Sequence, residues 1–239
     1  MRSRNIFLIL FVSSIIVTAC NKQDYYLDSG THNGKYDGTV YEYLNAKPAY
    51  FDTLMKVIDV AGMKEVLENE EITFFAPPSS SIYKSVRSLN QYLRNDGKDT
   101  VSELSQIKSE VWQEMLSLYI FKGKYMLKDY AQVDTLDLEA FGGQGFTSYG
   151  GRSMNIGVIY NDAGGVKYAG YRQLWLSYIS DFSKPKGSLI NIPIASSNIE
   201  PTNGAIHVLQ YRNHVFGFTS SNFILSATSK GIDPVVNEE

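Results

Sequence analysis

The feature that most limits the fold of this 239-residue chain is a change of hydrophobic period part-way along it. Over residues 50–68, Leu54, Ile58, Ala61 and Val66 fall near helical spacing, and Phe51, Met55 and Leu67 widen the stripe. From about Val133 the period becomes two. Ile156, Val158 and Tyr160 alternate, as do Leu174, Leu176 and Tyr178, then Ile190, Ile192 and Ile194, then Ile206, Val208 and Gln210. One chain cannot satisfy both periods with one kind of element. Helices first and strands later, joined by short turns, predict an α+β fold around an antiparallel sheet or sandwich.

The punctuation sharpens this. Gly62 predicts a break of the first helix into two. Residues 72–76 form a short β-type run that Pro77-Pro78 stops. Helical character resumes at residue 79, with Ser79 or Ser80 as N-cap. Thr100 and Glu103 have capping-box spacing, which predicts a helix continuing to Leu118. Residues 119–125 read as extended around Gly123. Turns are supplied by residues 161–165, 184–187 and 201–204. Residues 231–239 read as a frayed tail.

The N-terminus carries a second pattern. Arg2 and Arg4 precede an apolar run of twelve residues, Ile6 to Val17, broken only by Ser13 and Ser14. A membrane-spanning helix needs about 20 apolar residues, so this run has the shape of an export signal instead. Val17-Thr18-Ala19-Cys20 resembles the lipobox of bacterial lipoproteins, with Val where Leu is usual. That resemblance implies cleavage before Cys20 and a diacylglycerol on its thiol. Cys20 is the single cysteine, so no disulfide can form within the chain. The expected location is the bacterial cell envelope, lipid-anchored at the outer membrane.

The chain has 22 basic and 25 acidic residues, a net charge of −3, and loss of Arg2 and Arg4 with the leader makes the remainder more acidic. Nucleic acid is therefore not an expected partner. Seventeen tyrosines suit half-buried strand faces and contact surfaces alike, and composition does not separate the two.

Four stretches in order resemble the fasciclin domain. Phe51 to Val57 with Ala61-Gly62-Met63 resembles its opening helix pair. Ile72 to Pro77, containing Phe75-Ala76-Pro77, resembles its first signature. Leu116 to Gly123 resembles its middle signature, although the usual Tyr-His pair is replaced by Leu118 and Tyr119. Asn203-Gly204-Ala205-Ile206-His207 resembles its last signature. The resemblance implies a fasciclin-like β-sandwich wedge with flanking helices, and a role in adhesion or binding. The expected organisation is a leader at 1–19 and a tether and lead-in at 20–47. A domain at 48–218 follows, with inserted strands at about 138–200, and then a C-terminal extension at 219–239.

No nucleophile elbow, phosphate loop, zinc signature or dinucleotide fingerprint is present in the sequence. No catalytic residue, metal or cofactor is expected. His207 is expected to hydrogen-bond a neighbouring group, since His32, His207 and His214 lack ligand spacing. Phe75, Ala76, Pro77, Asn203, Gly204 and His207 are expected to serve the fold. Tyr160, Tyr168, Tyr171, Trp175 and Tyr178 are the candidate ligand-binding residues. Those rings can form a contact face for a protein or glycan partner, or they can fill the sheet. The expected function is a non-catalytic, surface-anchored binding module. An accessory subunit of an outer-membrane glycan-uptake complex is the alternative.

Overall fold

The computed structural model describes residues 34–212 and 214–234. The leader, Cys20, the first part of the tether and residues 235–239 lie outside the described residues.

Helix α1 (Val40–Asn45) opens with a capping box. The Thr39 hydroxyl accepts from the Glu42 N–H while the Glu42 carboxylate accepts from the Thr39 N–H. Helix α2 (Pro48–Val60) starts on a proline, whose missing N–H costs nothing at that position. Gly62, at φ +65°, ends that turn, and α3 (Lys64–Asn69) follows. The predicted break is therefore present. Strand β1 (Ile72–Ala76) is buried along its whole length.

Helix α4 (Ser79–Asn95) begins after Pro78, and no side chain caps it. The expected cap is absent because Ser79 is drawn elsewhere: its hydroxyl accepts from the Thr53 N–H at 3.0 Å. The expected Thr100–Glu103 box is also displaced. The reciprocal pair is Glu103 with Gln106, on a short 3₁₀ turn (Leu104–Gln106). Helix α5 runs only over Ser109–Leu116. Strand β2 (Ile120–Lys122) follows as expected.

Strands β3 (Gln144–Thr147), β4 (Ser153–Tyr160), β5 (Arg172–Ile179), β6 (Leu189–Ile199) and β7 (Gly204–Leu209) complete one seven-stranded sheet, ordered β2-β1-β7-β6-β5-β4-β3. All pairs are antiparallel except β1 with β7. The long strand β6 serves two neighbours. Its residues 189–193 pair with β5, and its residues 194–199 pair with β7 through two register shifts. At the far ends the sheet returns toward itself. The Tyr149 N–H donates to Ile120 O at 2.7 Å, and the Phe121 and Phe146 rings are 6.4 Å apart. The edges of β2 and β3 are thus brought together instead of standing open.

Helix α6 (Ser220–Lys230) buries Phe223 and Ala227 and packs on α4 and α5 in the common core. The expected frayed tail from residue 231 is held at its start. Ile232 bridges to Ile107, and the Asp233 N–H donates to Gln106 O at 2.8 Å. No helix of the described residues is long and apolar enough to cross a membrane.

Candidate functional site

The signature residues meet where β1 and β7 run side by side. Asn203 ties down the start of β7. Its Oδ1 accepts from the Val40 N–H at 2.8 Å, and its Nδ2 donates to Leu67 O and Glu70 O at 3.0 and 3.1 Å. Gly204 faces the β1 backbone so closely that an added Cβ would lie 1.8 Å from Ile72 O. Phe75 and Ala76 are fully buried in β1, and Pro77 is buried behind them.

His207 is fully buried, 5.1 Å from the Phe75 ring. Its Nδ1 accepts from the Asn198 N–H at 3.2 Å and its Nε2 lies 2.9 Å from Tyr125 O. An amide can only donate and a carbonyl can only accept, so the proton sits on Nε2. Burial lowers the pKa to about 4, against the opposing pull of Tyr125 O. The imidazole is neutral at physiological pH, with both nitrogens committed to backbone.

The five candidate rings do not form one face. Tyr178 is buried and stacks on Phe218 at 5.2 Å. Trp175 lies on the opposite face of β5, half-buried, with Nε1–H toward Gln173 Oε1 at 3.3 Å. The other three gather at the tip of the β4–β5 hairpin. The Arg172 guanidinium lies 3.4 Å from the centre of the Tyr160 ring. Tyr168 donates its hydroxyl to Asp134 Oδ2 at 2.8 Å and holds φ +62°, a costly conformation for a bulky residue. Asp134 is kept below its ordinary carboxylate pKa, first by the Leu136 N–H and then by that hydroxyl. Tyr171 is exposed.

Sequence reasoning missed a cleft of about 670 Å³, floored by Leu118 and Met63 and walled by α5, the 149–153 turn and Phe182. Gly150 lets the turn press against α5, since a Cβ there would meet Ser117 Oγ at 2.3 Å. The turn delivers Arg152. Its guanidinium carbon lies 4.3 Å from the Tyr178 ring centre and 4.9 Å from that of Phe182. One Nη donates to Ile179 O at 2.7 Å, while Nε is buried without a partner. No carboxylate of the described residues lies within ion-pair distance of Arg152.

Glu114, across the cleft, is occupied by the Ser226 hydroxyl at 2.6 Å and by the Lys230 ammonium. Burial pushes its pKa up, but those two donors outweigh it and hold it below its ordinary value. Arg152 thus stands without a paired carboxylate beside an exposed ring, which suits a carboxylate with an apolar neighbour, while Glu110 on the α5 wall gives the cleft an acid of its own. The only trace of it in the sequence is Gly150-Gly151-Arg152, whose glycines read as turn residues. Among the described residues no three His, Cys, Asp or Glu side chains form a metal-binding group.

A fasciclin domain model matches residues 49–211, more than half of the chain. Among solved structures, the chain is similar to a FAS1 domain pair from the insect cell adhesion molecule fasciclin I. That similarity is 18% identity with a TM-score of 0.46, over 74% of this chain and 50% of that one. The chain thus spans about half the length of that structure. A search of curated proteins finds no match. With four signature stretches in order and a family match across the seven-stranded sheet, the chain belongs to the fasciclin domain family.

Proposed function

We propose that this protein is a non-catalytic binding module of the bacterial cell envelope, held at the outer membrane by a diacylglycerol on Cys20, with a protein partner docked in the Arg152 cleft. Fasciclin domains are generally non-enzymatic, are typically extracellular or surface-associated, and mediate protein–protein interactions. The observation that carries the reading is Arg152, a guanidinium framed by two rings in a cleft and lacking a carboxylate of its own. Arginine and aromatic side chains in such settings dominate interface energies. A hydrogen bond from it to a partner carboxylate contributes about 1.5–3 kcal/mol. Tyr160, Tyr168 and Tyr171 at the hairpin tip supply a second, smaller contact in this reading.

The test compares tagged wild type, Arg152→Gln and Cys20→Ala, recovered from gently solubilised membranes. Wild type is expected in the membrane fraction with a stoichiometric partner. Arg152→Gln is expected to stay folded and membrane-bound but to recover at least tenfold less partner. Cys20→Ala is expected to lose the metabolic palmitate label that wild type carries. Equal partner recovery with Arg152→Gln would overturn the cleft assignment. Palmitate labelling of Cys20→Ala equal to wild type would overturn the anchor. A transporter as the stoichiometric partner would make the protein an uptake-complex subunit.

A further inference from the structure

Helix α4 has an uncommon charge pattern. Its seventeen residues, Ser79–Asn95, include Lys84, Arg87 and Arg94 and no Asp or Glu. The whole chain carries a net charge of −3, so the helix runs against the general balance. Its inner face, Ile82, Ser85, Leu89 and Leu93, is buried on the core. Tyr83, Arg87, Asn90 and Arg94 recur along one outer stripe. With Val86 they line an open groove of about 500 Å³. At helical rise the stripe is about 16 Å long.

The cations of this groove are not spent on the protein's own acids. No carboxylate of the described residues lies within ion-pair distance of Arg87 or Arg94, and Arg94 only donates to Gln91 Oε1 at 3.3 Å. Lys84 is committed differently. Its ammonium donates to Tyr211 O at 2.6 Å and Arg212 O at 2.8 Å. That tie holds the backbone of Tyr211 and Arg212, both exposed residues, at the second turn of the helix. Tyr83 stands 68% exposed one turn before Arg87, a flat ring with no burial to explain it.

We infer that this face of α4 binds an anionic polysaccharide, a chain of sugar rings bearing carboxylate or sulfate groups, laid along the groove. Arg87 and Arg94 engage successive anionic groups, and Tyr83 stacks on a sugar ring. Two guanidiniums about 10 Å apart along the helix, with an exposed ring one turn before the first, suit an extended chain that repeats charge and sugar ring. Attraction to such a polymer is electrostatic and is screened by salt. This inference rests on the reading of the domain as a surface binding module, but it uses a face distinct from the Arg152 cleft.

The test measures binding of the full-length protein, kept in detergent, to polygalacturonate at low salt. Neutral dextran and detergent micelles doped with phosphatidylglycerol are run in parallel. Wild type is expected to bind polygalacturonate but not dextran, with affinity falling at least tenfold between low and physiological salt. Arg87→Gln/Arg94→Gln is expected to lose at least tenfold in affinity with an unchanged thermal transition. Tyr83→Ala is expected to lose about threefold at constant salt. Arg87→Lys/Arg94→Lys, which keeps the charge, is expected to retain most of the binding and guards against a folding artefact. Unchanged affinity in the glutamine variant would overturn the inference, as would arginine-dependent binding to the phosphatidylglycerol micelles without binding to polygalacturonate. Recovery of the cleft partner by the glutamine variant separates the two readings. A variant that keeps that partner while wild type ignores polygalacturonate sinks the α4 site alone.

Discussion

The β1–β7 seam and the ring column behind α5 are both buried, yet they are held together in different ways. In the seam, Asn203, Gly204 and His207 act on backbone groups of other segments at fixed distances. In the column, Tyr178, Phe218, Tyr119 and Phe216 stack in sequence, with centroids 5.0 to 5.4 Å apart and planes within 20°. Each region also buries one histidine. His207 has both ring nitrogens satisfied by backbone. His214 lies 3.0 Å from the Tyr119 hydroxyl through Nε2, and its Nδ1 has no partner among the described residues. A seam built on directed polar bonds tolerates little change. A column built on ring area accepts another ring of similar size.

The largest expected effect tests the seam. Gly204→Ala places a Cβ against the Ile72 carbonyl, and backbone must move to admit it. A loss of roughly 4 kcal/mol or more is expected, read as a collapse of the urea midpoint. Near-wild-type unfolding would show that β7 can shift and would break the contrast.

His207→Phe comes next. It keeps a ring but leaves the Asn198 N–H and Tyr125 carbonyl buried and unpaired. At about 1–3 kcal/mol for each, the expected loss is about 2–6 kcal/mol. His214→Phe is the matched change in the column. It removes the orphaned Nδ1 and keeps the ring contacts with Tyr119 and Phe218 at 5.5 Å each, but it takes the Nε2 partner from the buried Tyr119 hydroxyl. With one group unpaired against two in the seam, the expected loss at pH 7.5 is about 1–3 kcal/mol.

The same pair of variants gives a pH signature. Burial lowers His207 to about 4 and, with Lys84 adding to it, His214 to about 3, while unfolded histidine titrates near its ordinary value. The unfolded chain therefore takes up protons first as pH falls. Each histidine contributes stability that is complete above about pH 6.5 and is lost toward its folded pKa. The slope is on the order of 1.4 kcal/mol per pH unit for each. His214→Phe is expected to flatten the stability profile between pH 5.5 and 4.5 by that amount, followed by chemical denaturation at each pH. An unchanged slope would mean that His214 is solvated in the native state.

These expectations also show how far the sequence could be read. The helix pair around Gly62, β1 ended by Pro77-Pro78, and the alternating strands were legible, because period and turn residues act within a few positions of the chain. The backbone bonds of both His207 nitrogens match the hydrogen bonding expected of it, but their partners, Asn198 and Tyr125, had no signal in the sequence. The caps of α4 and α5 were misread. Thr53 drew the Ser79 hydroxyl away, and Gln106 gave its side chain to Glu103 and Ser102. Alternation alone could not tell that Tyr178 joins a stack while Trp175 stays at the surface of the same strand.

By itself the sequence determined the α+β layout, the fasciclin signatures and the acid-free composition of α4, all of which are local patterns. Only the tertiary structure decided that Arg152 stands in a cleft with no carboxylate paired to it, and that Tyr119 and His214 meet in the buried core. Those arrangements depend on segments tens of residues apart. What reaches them is set by packing and closure of the sheet, which no spacing along the chain encodes.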